Sequence, residues 1–507
     1  MPITRRKLVL VLGGTAATAI LAACGGAASP TAAPAAKPTE APKPAGAAPA
    51  QGSPAAPAAA PTTAAAATKP AAAATKPAAG ATTAPAAGGA TAAAKPAEAP
   101  KPGAAAGDVL FWHTQTGPLA DALNKIIDDF NKKSSGAKIK GEYAGSYTQT
   151  YQKAMAAIQG GGLPSMAVAY ESMVADYMRA NAVVALDDYV GDGQNGLSKA
   201  DLDDIFPFAL SRNRFPQFGN KLLSFPFTVS NLNMYTNVDM LKQAGVNAVP
   251  QTWDDFYAAS KAIKEKLNKP AYTASVDAST IHGMIYSNGG NLLDESNTKT
   301  LYDQKPGVDT FELLERMAKE GLVFQIKPGS NDDQNDIANE KAAFMIRSST
   351  TRPFLEPLVK DKFKWTMSLI PQGKENKEKA TTLFGANVTI FKSTPEKQLG
   401  AWQFIKYFAS TDVTSEWGAV GGYIPVRKSG ANVDPYKSYL AKNPELNRVS
   451  LDNMQYSRPE PNIIGYQDIR PVIEDAETAV LAGKSTGQQA AKKVKDEADK
   501  ILAEKKL

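Results

Sequence analysis

Cysteine and histidine are scarce, with one cysteine and two histidines in 507 residues. A single cysteine excludes an intramolecular disulfide and any zinc site built on several cysteines. The histidines, His113 and His282, are far apart in the sequence, and neither belongs to a His-Glu-x-x-His motif. No P-loop, nucleophile elbow or dinucleotide fingerprint follows a predicted strand. The sequence therefore predicts no metal site, no cofactor and no enzyme activity.

Large apolar side chains are absent from residues 27–107, which consist almost entirely of Ala, Pro, Thr, Gly and Lys. Such a segment has too little apolar surface to offset the entropy lost on ordering, so it predicts a disordered Ala/Pro-rich linker. No run in the chain approaches the ~20 apolar residues that a membrane-spanning helix needs. The foldable part is therefore residues 108–507, enough for two lobes.

Excess charge is also absent from the foldable part. Residues 1–107 carry nine basic and two acidic residues, which leaves 47 basic and 48 acidic residues in 108–507. Binding to nucleic acid needs a basic surface. The near-neutral body therefore predicts no nucleic-acid partner.

The N-terminus has the pattern of an export signal. Three basic residues, Arg5-Arg6-Lys7, precede a weakly apolar run at 8–23, as in a signal peptide. The run ends in Leu21-Ala22-Ala23-Cys24, which resembles the bacterial lipobox and implies lipidation of Cys24. We therefore expect a signal peptide at 1–23, a lipidated tether at 24–107 and an exported lipoprotein on the extracytoplasmic face of the membrane. Thr4-Arg5-Arg6 also resembles a twin-arginine signal, so the export route stays open.

The foldable part alternates short apolar runs with amphipathic helices. Strands are predicted at 109–112, 138–143 and 166–170, and each is followed by apolar residues at helical spacing. A capping box of Thr252 and Asp255 predicts a helix at 253–267. This alternation predicts an α/β fold with parallel strands.

Aromatic and small polar residues recur where the predicted strands end. In open α/β sheets, ligands bind beyond the carboxyl ends of the strands. Aromatic faces stack on sugars, while hydroxyl and carboxylate groups bind their hydroxyls. The residues of this kind are Trp112-His113-Thr114, Tyr143, Ser146-Tyr147, Tyr170-Glu171, Thr228, Ser230, Ser348-Ser349, Gly385-Ala386-Asn387 and Gly421-Gly422-Tyr423.

An ordered set of these motifs resembles the family 1 extracellular solute-binding proteins of ABC importers, the sugar-binding type. Within that family the chain is most similar to the glycerol-3-phosphate-binding branch. The resemblance covers 108–507 and rests on Phe111-Trp112-His113, Phe130-Asn131, Tyr143-x-Gly145-x-Tyr147, Val168-Ala169-Tyr170-Glu171, Pro226-Phe227-x-x-Ser230, Met234-Tyr235-x-Asn237, Gly422-Tyr423-Ile424-Pro425 and Ile469-Arg470-x-Val472-Ile473.

The resemblance implies a two-lobed periplasmic-binding-protein fold of type II, with the lobes joined by crossover strands. Lobe one would comprise 108–228 plus 388–425, and lobe two 229–387 plus 426–507. The ligand would lie in the cleft between them. The implied or candidate ligand residues are Trp112, His113, Tyr147, Tyr170, Glu171, Ser230, Asp277, Ser349, Gly385, Tyr423 and Arg470.

The class of ligand stays open at this point. The resemblance implies that Arg470 faces a phosphate, and a guanidinium offers paired donors to phosphate oxygens. The tryptophans of the glycerol-phosphate pattern are missing, however, and Asp277 stands in that segment. Asp277 favours an uncharged saccharide, whereas Arg470 favours an anion.

The resemblance implies a monomeric, membrane-tethered receptor that captures a sugar or a glycerol-3-phosphate-type ligand. It would deliver this small molecule to the permease and ATPase subunits of an ABC importer, with the lipid on Cys24 holding it to the membrane. Two alternatives remain open: a surface sugar-sensing adhesin, and a secreted carbohydrate-active enzyme. The enzyme would need two carboxylates facing each other across the cleft, for which Glu171 and Asp277 are the candidates.

Overall fold

The computed structural model describes residues 108–505. The predicted signal peptide, Cys24 and the tether lie outside the described residues. The strands are β1 (Asp108–His113), β2 (Lys138–Tyr143), β3 (Met166–Ala169), β4 (Arg214–Phe215), β5 (Lys221–Leu222), β6 (Phe225–Pro226), β7 (Ser230–Asn237), β8 (Tyr272–Ala274), β9 (Val323–Gln325), β10 (Phe344–Ser348), β11 (Trp365–Leu369), β12 (Thr381–Phe384), β13 (Asn387–Ile390) and β14 (Ser457–Arg458).

Helices separate most of these strands, as the alternating pattern predicts. Among the described residues, none of these helices combines the length and the apolar character needed to cross a membrane. They are α1 (Gly117–Lys133), α2 (Tyr147–Gly160), α3 (Glu171–Arg179), α4 (Asp187–Val190), α5 (Lys199–Asp204), α6 (Pro207–Ser211), α7 (Val238–Gln243), α8 (Trp253–Leu267), α9 (Ala278–Ser287), α10 (Lys305–Lys319), α11 (Asp332–Ala338), α12 (Arg352–Val359), α13 (Pro395–Phe408), α14 (Thr411–Gly421), α15 (Tyr436–Lys442), α16 (Pro444–Asn447), α17 (Val449–Asp452), α18 (Tyr466–Leu481) and α19 (Gly487–Glu504).

Local signals set several helix starts. The capping box of Thr252 and Asp255 is present at the start of α8, which confirms the prediction there. For the last helix, the sequence predicts a box of Ser485 and Gln488. The structure instead uses Thr486 and Gln489, one residue later. Both pairs have the required spacing, and the packing of Gly487 against α10 selects the second pair.

The first sheet has the strand order β2-β1-β3-β13-β6. Strands β1, β2 and β3 are parallel, whereas β13 returns antiparallel to β3. Helices cover both faces of the sheet, because its strands carry apolar side chains that are stabilised by burial away from water. The core on one face includes Phe111, Val168 and Trp402. We call this sheet and its covering helices the first lobe.

The second sheet is built around the long strand β7, every residue of which is buried. Its order is β14-β12-β7-β10-β8-β9, with β11 also paired to β7. A separate core, which includes Phe256, Tyr272 and Phe344, lies between this sheet and its helices. We call this sheet and its covering helices the second lobe.

Two short connections carry the chain between the sheets. One runs from β6 to β7, and the other from β12 to β13. The apolar run predicts one strand at 384–391, but only Asn387–Ile390 forms a strand of the first sheet, because Phe384 ends β12 of the second sheet and Gly385 lies in the connection between them. Gly385 has φ +111°, and an added Cβ would lie 2.1 Å from the carbonyl oxygen of Thr228. The two connections thus touch where only glycine fits.

Residues beyond 425 first pack against helix α14. Ser415 on α14 donates its Oγ to the carbonyl of Val433 at 3.0 Å, and the amide of Tyr436 donates to the same Oγ. Farther along the chain, α18 and α19 pack on the second core through residues such as Ile473 and Val494. The boundaries proposed for the two lobes remain a prediction.

Candidate functional site

A cavity of about 530 Å³ lies between the two lobes, and residues of both sheets line it. It is larger than the cavity of about 480 Å³ beside Trp253, which is lined by the second lobe alone. We call it the interlobe cavity. Its polar and aromatic lining includes Thr114, Gln115, Thr116, Ser146, Tyr147, Tyr170, Ser230, Asp277, Ser279, Thr280, Asn331, Gln334, Arg347, Ser348, Thr350, Thr351, Phe354, Phe384, Gly385, Tyr423 and Arg470.

The first-lobe wall of this cavity is aromatic. Tyr147 begins α2 and Tyr170 directly follows β3, so the carboxyl end of the parallel sheet brings them together. Their ring centroids lie 4.4 Å apart. Tyr423 stacks on Trp417, with centroids 5.3 Å apart. Burial raises the pKa of Tyr147, Tyr170 and Tyr423, so these phenols stay protonated and can donate hydrogen bonds.

The second-lobe wall is polar where its strands end. Ser348 ends β10 and donates its Oγ to the Oγ of Ser230 at 3.1 Å. Tyr235 fixes the same segment, because its phenol donates to the carbonyl of Ser348 at 2.8 Å. This wall therefore presents hydroxyl groups of defined position to a ligand.

Arg470 of α18 is the central charged group of the second-lobe wall. Its Nη1 donates to Ser279 Oγ at 3.0 Å and to Glu460 Oε1 at 3.0 Å. Its Nη2 donates to Asp277 Oδ1 at 2.9 Å. Glu474 is more distant, at 3.9 Å from Nη2. Arg470 is thus paired with carboxylates of its own chain.

Glu460 also contacts a buried network of histidine and tyrosine through Oε1, the oxygen that accepts from Arg470 Nη1. Its Oε1 lies 2.6 Å from His282 Nδ1, and the phenol of Tyr466 lies 2.8 Å from His282 Nε2. Burial raises the pKa of Glu460, but Arg470 and His282 outweigh burial and lower it to about 2. Glu460 is therefore ionised at neutral pH.

A second guanidinium of the cavity, Arg347, is also paired. Its Nη2 donates to Asp333 Oδ1 at 3.0 Å and to the carbonyl of Ser330 at 3.2 Å. Its Nε donates to the other oxygen of Asp333. This two-pronged pairing fixes the plane of the guanidinium against the second lobe.

Seven of the eleven predicted ligand residues line the interlobe cavity. Those of the first lobe and Gly385 reach the cavity because the strand ends and the connection at Gly385 meet at one edge of the first sheet. Whether these side chains bind a ligand stays a prediction. The seven are Tyr147, Tyr170, Ser230, Asp277, Gly385, Tyr423 and Arg470.

Trp112 and His113 lie below the cavity lining because β1 extends to His113. The Trp112 ring packs under Lys153, whose Nζ lies 3.9 Å from the ring centroid. His113 accepts a hydrogen bond at Nδ1 from the amide of Gln115, and burial lowers its pKa. The lining of the cavity begins one residue later, at Thr114.

The side chains of Glu171 and Ser349 are buried and bond to groups of the protein outside the cavity lining. Ser349 donates its Oγ to the carbonyl of Gly422 at 2.9 Å. Glu171 Oε1 lies 3.1 Å from Arg212 Nε and accepts a hydrogen bond from Asn387. Glu171 therefore does not face Asp277 across the cavity, and the carboxylate pair needed by a glycosidase does not form.

Arg212 joins the two connections between the sheets. Its Nη2 donates to the carbonyl of Thr228 at 3.2 Å and to Asn387 Oδ1 at 3.1 Å. Its Nη1 lies 3.5 Å from the carbonyl of Phe384. The buried pair of Arg212 and Glu171 thus joins the two connections between the sheets, which we call the hinge.

Several lining residues were not predicted from the sequence. Arg347 directly precedes the serines that the strand-end pattern selected, so its position on the same strand end is a signal that could have found it. Asn331 and Gln334 come from the start of α11, after a loop without a motif, and only the tertiary structure brings them to the cavity.

A family model described as bacterial extracellular solute-binding protein matches residues 125–445. Among curated proteins, the sn-glycerol-3-phosphate-binding periplasmic protein UgpB of Pectobacterium atrosepticum is 24% identical over 404 residues, which cover 76% of this chain and 89% of the relative. The protein of the same name from Yersinia pseudotuberculosis is 23% identical over 402 residues, covering 76% and 90%.

Solved structures share the fold at low identity. The GacH receptor of Streptomyces glaucescens, solved unliganded and with acarbose, has a TM-score of 0.69 at 21% identity, covering 79% of this chain and 100% of that one. UgpB from Mycobacterium tuberculosis, in complex with glycerophosphocholine, has a TM-score of 0.69 at 20% identity, covering 79% and 99%. The predicted two-lobed α/β architecture is therefore confirmed.

Proposed function

The chain belongs to the bacterial extracellular solute-binding proteins, and from this premise we propose that it is the membrane-tethered receptor of an ABC importer. It captures a small polyhydroxylated solute in the interlobe cavity and delivers it to a permease. The family expected from the sequence is confirmed by the match over residues 125–445. The observation that carries the proposal is the interlobe cavity itself, because side chains from both lobes line it.

Capture follows from the position of the cavity. Because both lobes contribute to its lining, a ligand makes all of its contacts only when the lobes are close together. A ligand that binds this arrangement better shifts the population toward it. Rotation about the connections at Thr228 and Gly385 would change the distance between the two walls.

The lining suits a ligand with apolar faces and many hydroxyls. Tyr147 and Tyr170 offer ring faces, while Ser230, Ser348 and Thr350 offer hydroxyl groups. Such a mixture is typical of sites for small polyols and sugars. The names of the relatives agree in chemistry, since they refer to glycerol 3-phosphate, glycerophosphocholine and acarbose.

The tether completes the proposal. A lipid on Cys24 would anchor the protein, and a coil spanning 24–107 would have an r.m.s. length of ~50 Å. That reach lets a loaded receptor find a permease in the same membrane. A separate ATPase would supply the energy, since the sequence has no P-loop of its own.

Ligand capture is tested with the full chain in detergent. A thermal-shift screen should compare maltose, maltotriose, glycerol and sn-glycerol 3-phosphate, because a ligand at 100 times its Kd adds about 2.7 kcal/mol of stability. Small-angle scattering should then show compaction with the ligand that binds. A ligand that binds without any compaction would contradict capture by lobe closure.

Tethering is tested separately by membrane fractionation. Wild-type protein should sediment with membranes, whereas the Cys24→Ala variant should lose the lipid. Incorporation of a labelled fatty acid should be abolished in the variant. Equal labelling of both proteins would refute the anchor without touching the ligand-binding proposal.

A further inference from the structure

Arg470 reaches the interlobe cavity with most of its hydrogen-bonding capacity already used. A guanidinium has five N–H donors. One N–H of Nη1 is directed to Ser279 and the other to Glu460, while Nη2 donates to Asp277. Three of the five donors are therefore occupied by protein acceptors. The remaining two donors are Nε–H and the second N–H of Nη2, and a phosphate bound through this pair would lie beside Asp277, which accepts from the same Nη2.

The charges around the cavity do not favour an anion either. Two guanidiniums, Arg470 and Arg347, line it. Three carboxylates lie in direct contact with them: Asp277 and Glu460 on Arg470, and Asp333 on Arg347. Asp277 lines the cavity, whereas Glu460 and Asp333 lie behind the two guanidiniums. Together the two guanidiniums and three carboxylates carry one net negative charge, so no excess positive charge is left to attract an anion.

We propose that Glu460 and Asp277 act as built-in counter-anions of Arg470 and exclude phosphate ligands from the cavity. Glu460 is thereby a specificity-determining residue, and the ligand class is an uncharged saccharide. This inference rests on the proposed function, because it assumes that the interlobe cavity is the ligand site.

The geometry explains how the same groups accept a neutral ligand. Asp277 contacts Arg470 and the amide of Ser279 through Oδ1 only, among the residues that the structure describes. Its Oδ2 is free to accept a hydrogen bond from a sugar hydroxyl. A phosphate placed at the same point would meet the like charge of Asp277 in the wall, with Glu460 behind it on Nη1 of Arg470, and like charges repel strongly where water is excluded.

The size of the cavity supports the same choice. A volume of about 530 Å³ equals roughly 18 waters at ~30 Å³ each. Glycerol 3-phosphate, with about ten non-hydrogen atoms, would leave much of this space to water, whereas a disaccharide with about 23 would fill it.

The test uses two substitutions that keep shape and hydrogen bonding while removing charge. Glu460→Gln keeps an oxygen and an amide for Arg470 and His282. Asp277→Asn keeps the cap of α9, because asparagine caps helices as well as aspartate does. Each variant and the double variant should be titrated calorimetrically, as full chains, with maltose, maltotriose, sn-glycerol 3-phosphate and inorganic phosphate.

We expect wild-type protein to bind a saccharide and to bind glycerol 3-phosphate at least about a hundredfold more weakly. The double variant should gain about tenfold or more in affinity for glycerol 3-phosphate, as expected when charge-assisted donors become available. Its affinity for the saccharide should fall, since Oδ2 of Asp277 is lost as a charged acceptor.

Glu474→Gln is the matched control, because it removes the same charge from a carboxylate that lies 3.9 Å from Arg470 Nη2 and makes no hydrogen bond with it. The proposal is overturned if wild-type protein binds glycerol 3-phosphate as tightly as a saccharide, if the double variant gains nothing, or if Glu474→Gln gains as much. Should wild-type protein bind none of the solutes in the thermal-shift screen, the proposed function fails. The gain or absence of phosphate binding in the double variant still decides the role of Glu460. An unchanged melting temperature of each variant confirms that folding is intact. If Glu460→Gln unfolds, the affinity of Asp277→Asn for glycerol 3-phosphate tests the proposal instead.

Discussion

The two walls of the interlobe cavity place their charges differently. In the first lobe, the pair of Glu171 and Arg212 is buried behind an aromatic wall and joins the two hinge connections. In the second lobe, Arg470 and Asp277 lie in the wall itself. The comparison teaches that similar ion pairs perform different tasks. The fully buried pair holds the connections between the lobes, whereas the pair open to the cavity is the one that we propose selects the ligand.

The first test of this comparison removes the guanidinium of Arg212, which joins the two connections between the sheets. Arg212→Met leaves Glu171 buried without its partner, which should destabilise the protein by about 3–5 kcal/mol. Urea denaturation measures the loss. Arg214→Ala is the control, because its pair with Asp187 is well exposed and should contribute no more than about 1 kcal/mol. Similar losses in the two variants would show that burial of the hinge pair has no special effect.

A second substitution tests the hinge through its backbone. Gly385→Ala combines a positive φ with a Cβ placed 2.1 Å from the carbonyl oxygen of Thr228, so we expect a loss of about 3 kcal/mol. Gly161→Ala has φ +85° but no atom within 4 Å of the new Cβ, and should lose only about 1 kcal/mol. Thermal unfolding of both variants separates the clash from the strain; equal losses would mean that the close approach does not matter.

The aromatic wall is tested through ligand affinity. Tyr170→Ala removes one of two adjacent rings and should weaken saccharide binding tenfold to a hundredfold, about 1.4–2.8 kcal/mol. Isothermal titration gives the value. Tyr143→Ala, on an exposed ring at the end of β2, should leave affinity unchanged. If Tyr143→Ala weakens binding as much as Tyr170→Ala, the ligand does not lie against the wall described above.

The last prediction concerns stability in acid. The pKa of Glu460 is lowered from its usual 4.5 to about 2, so folding favours the ionised carboxylate. The contribution of this carboxylate to the free energy of unfolding is complete above pH 4.5 and is lost as the pH falls toward 2. The free energy of unfolding should therefore fall more steeply in this range for wild-type protein than for Glu460→Gln. Parallel curves would mean that Arg470 and His282 do not stabilise the charged form.

Much of the local structure could be predicted from the sequence. The strand at 138–143 and the helix at 253–267 have the bounds that were predicted, because apolar spacing and a capping box act over a few residues. The prediction was wrong for the continuous strand at 384–391. Phe384 ends a strand of the second sheet and Asn387–Ile390 belongs to the first, and this assignment to different sheets depends on tertiary packing.

Local pattern and the order of elements account for part of the cavity lining. Tyr147 and Tyr170 follow parallel strands, so the edge they share can be read from the order of elements. The resemblance implies that Glu171 contacts the ligand, and in the structure its carboxylate lies 3.1 Å from Arg212 Nε. Its partner Arg212 belongs to a different element, and nothing in the local sequence connects the two.

The sequence by itself determined the absence of disulfides, the near-neutral body and the succession of strands and helices, because composition and short-range hydrogen bonding decide these properties. The tertiary structure alone decided which charges meet. Asp277 and Arg470 are 193 residues apart, and their contact depends on how α18 packs against α9. Since such pairs arise from packing of separate elements, the balance between an anion site and a neutral site could be judged only once the fold was known.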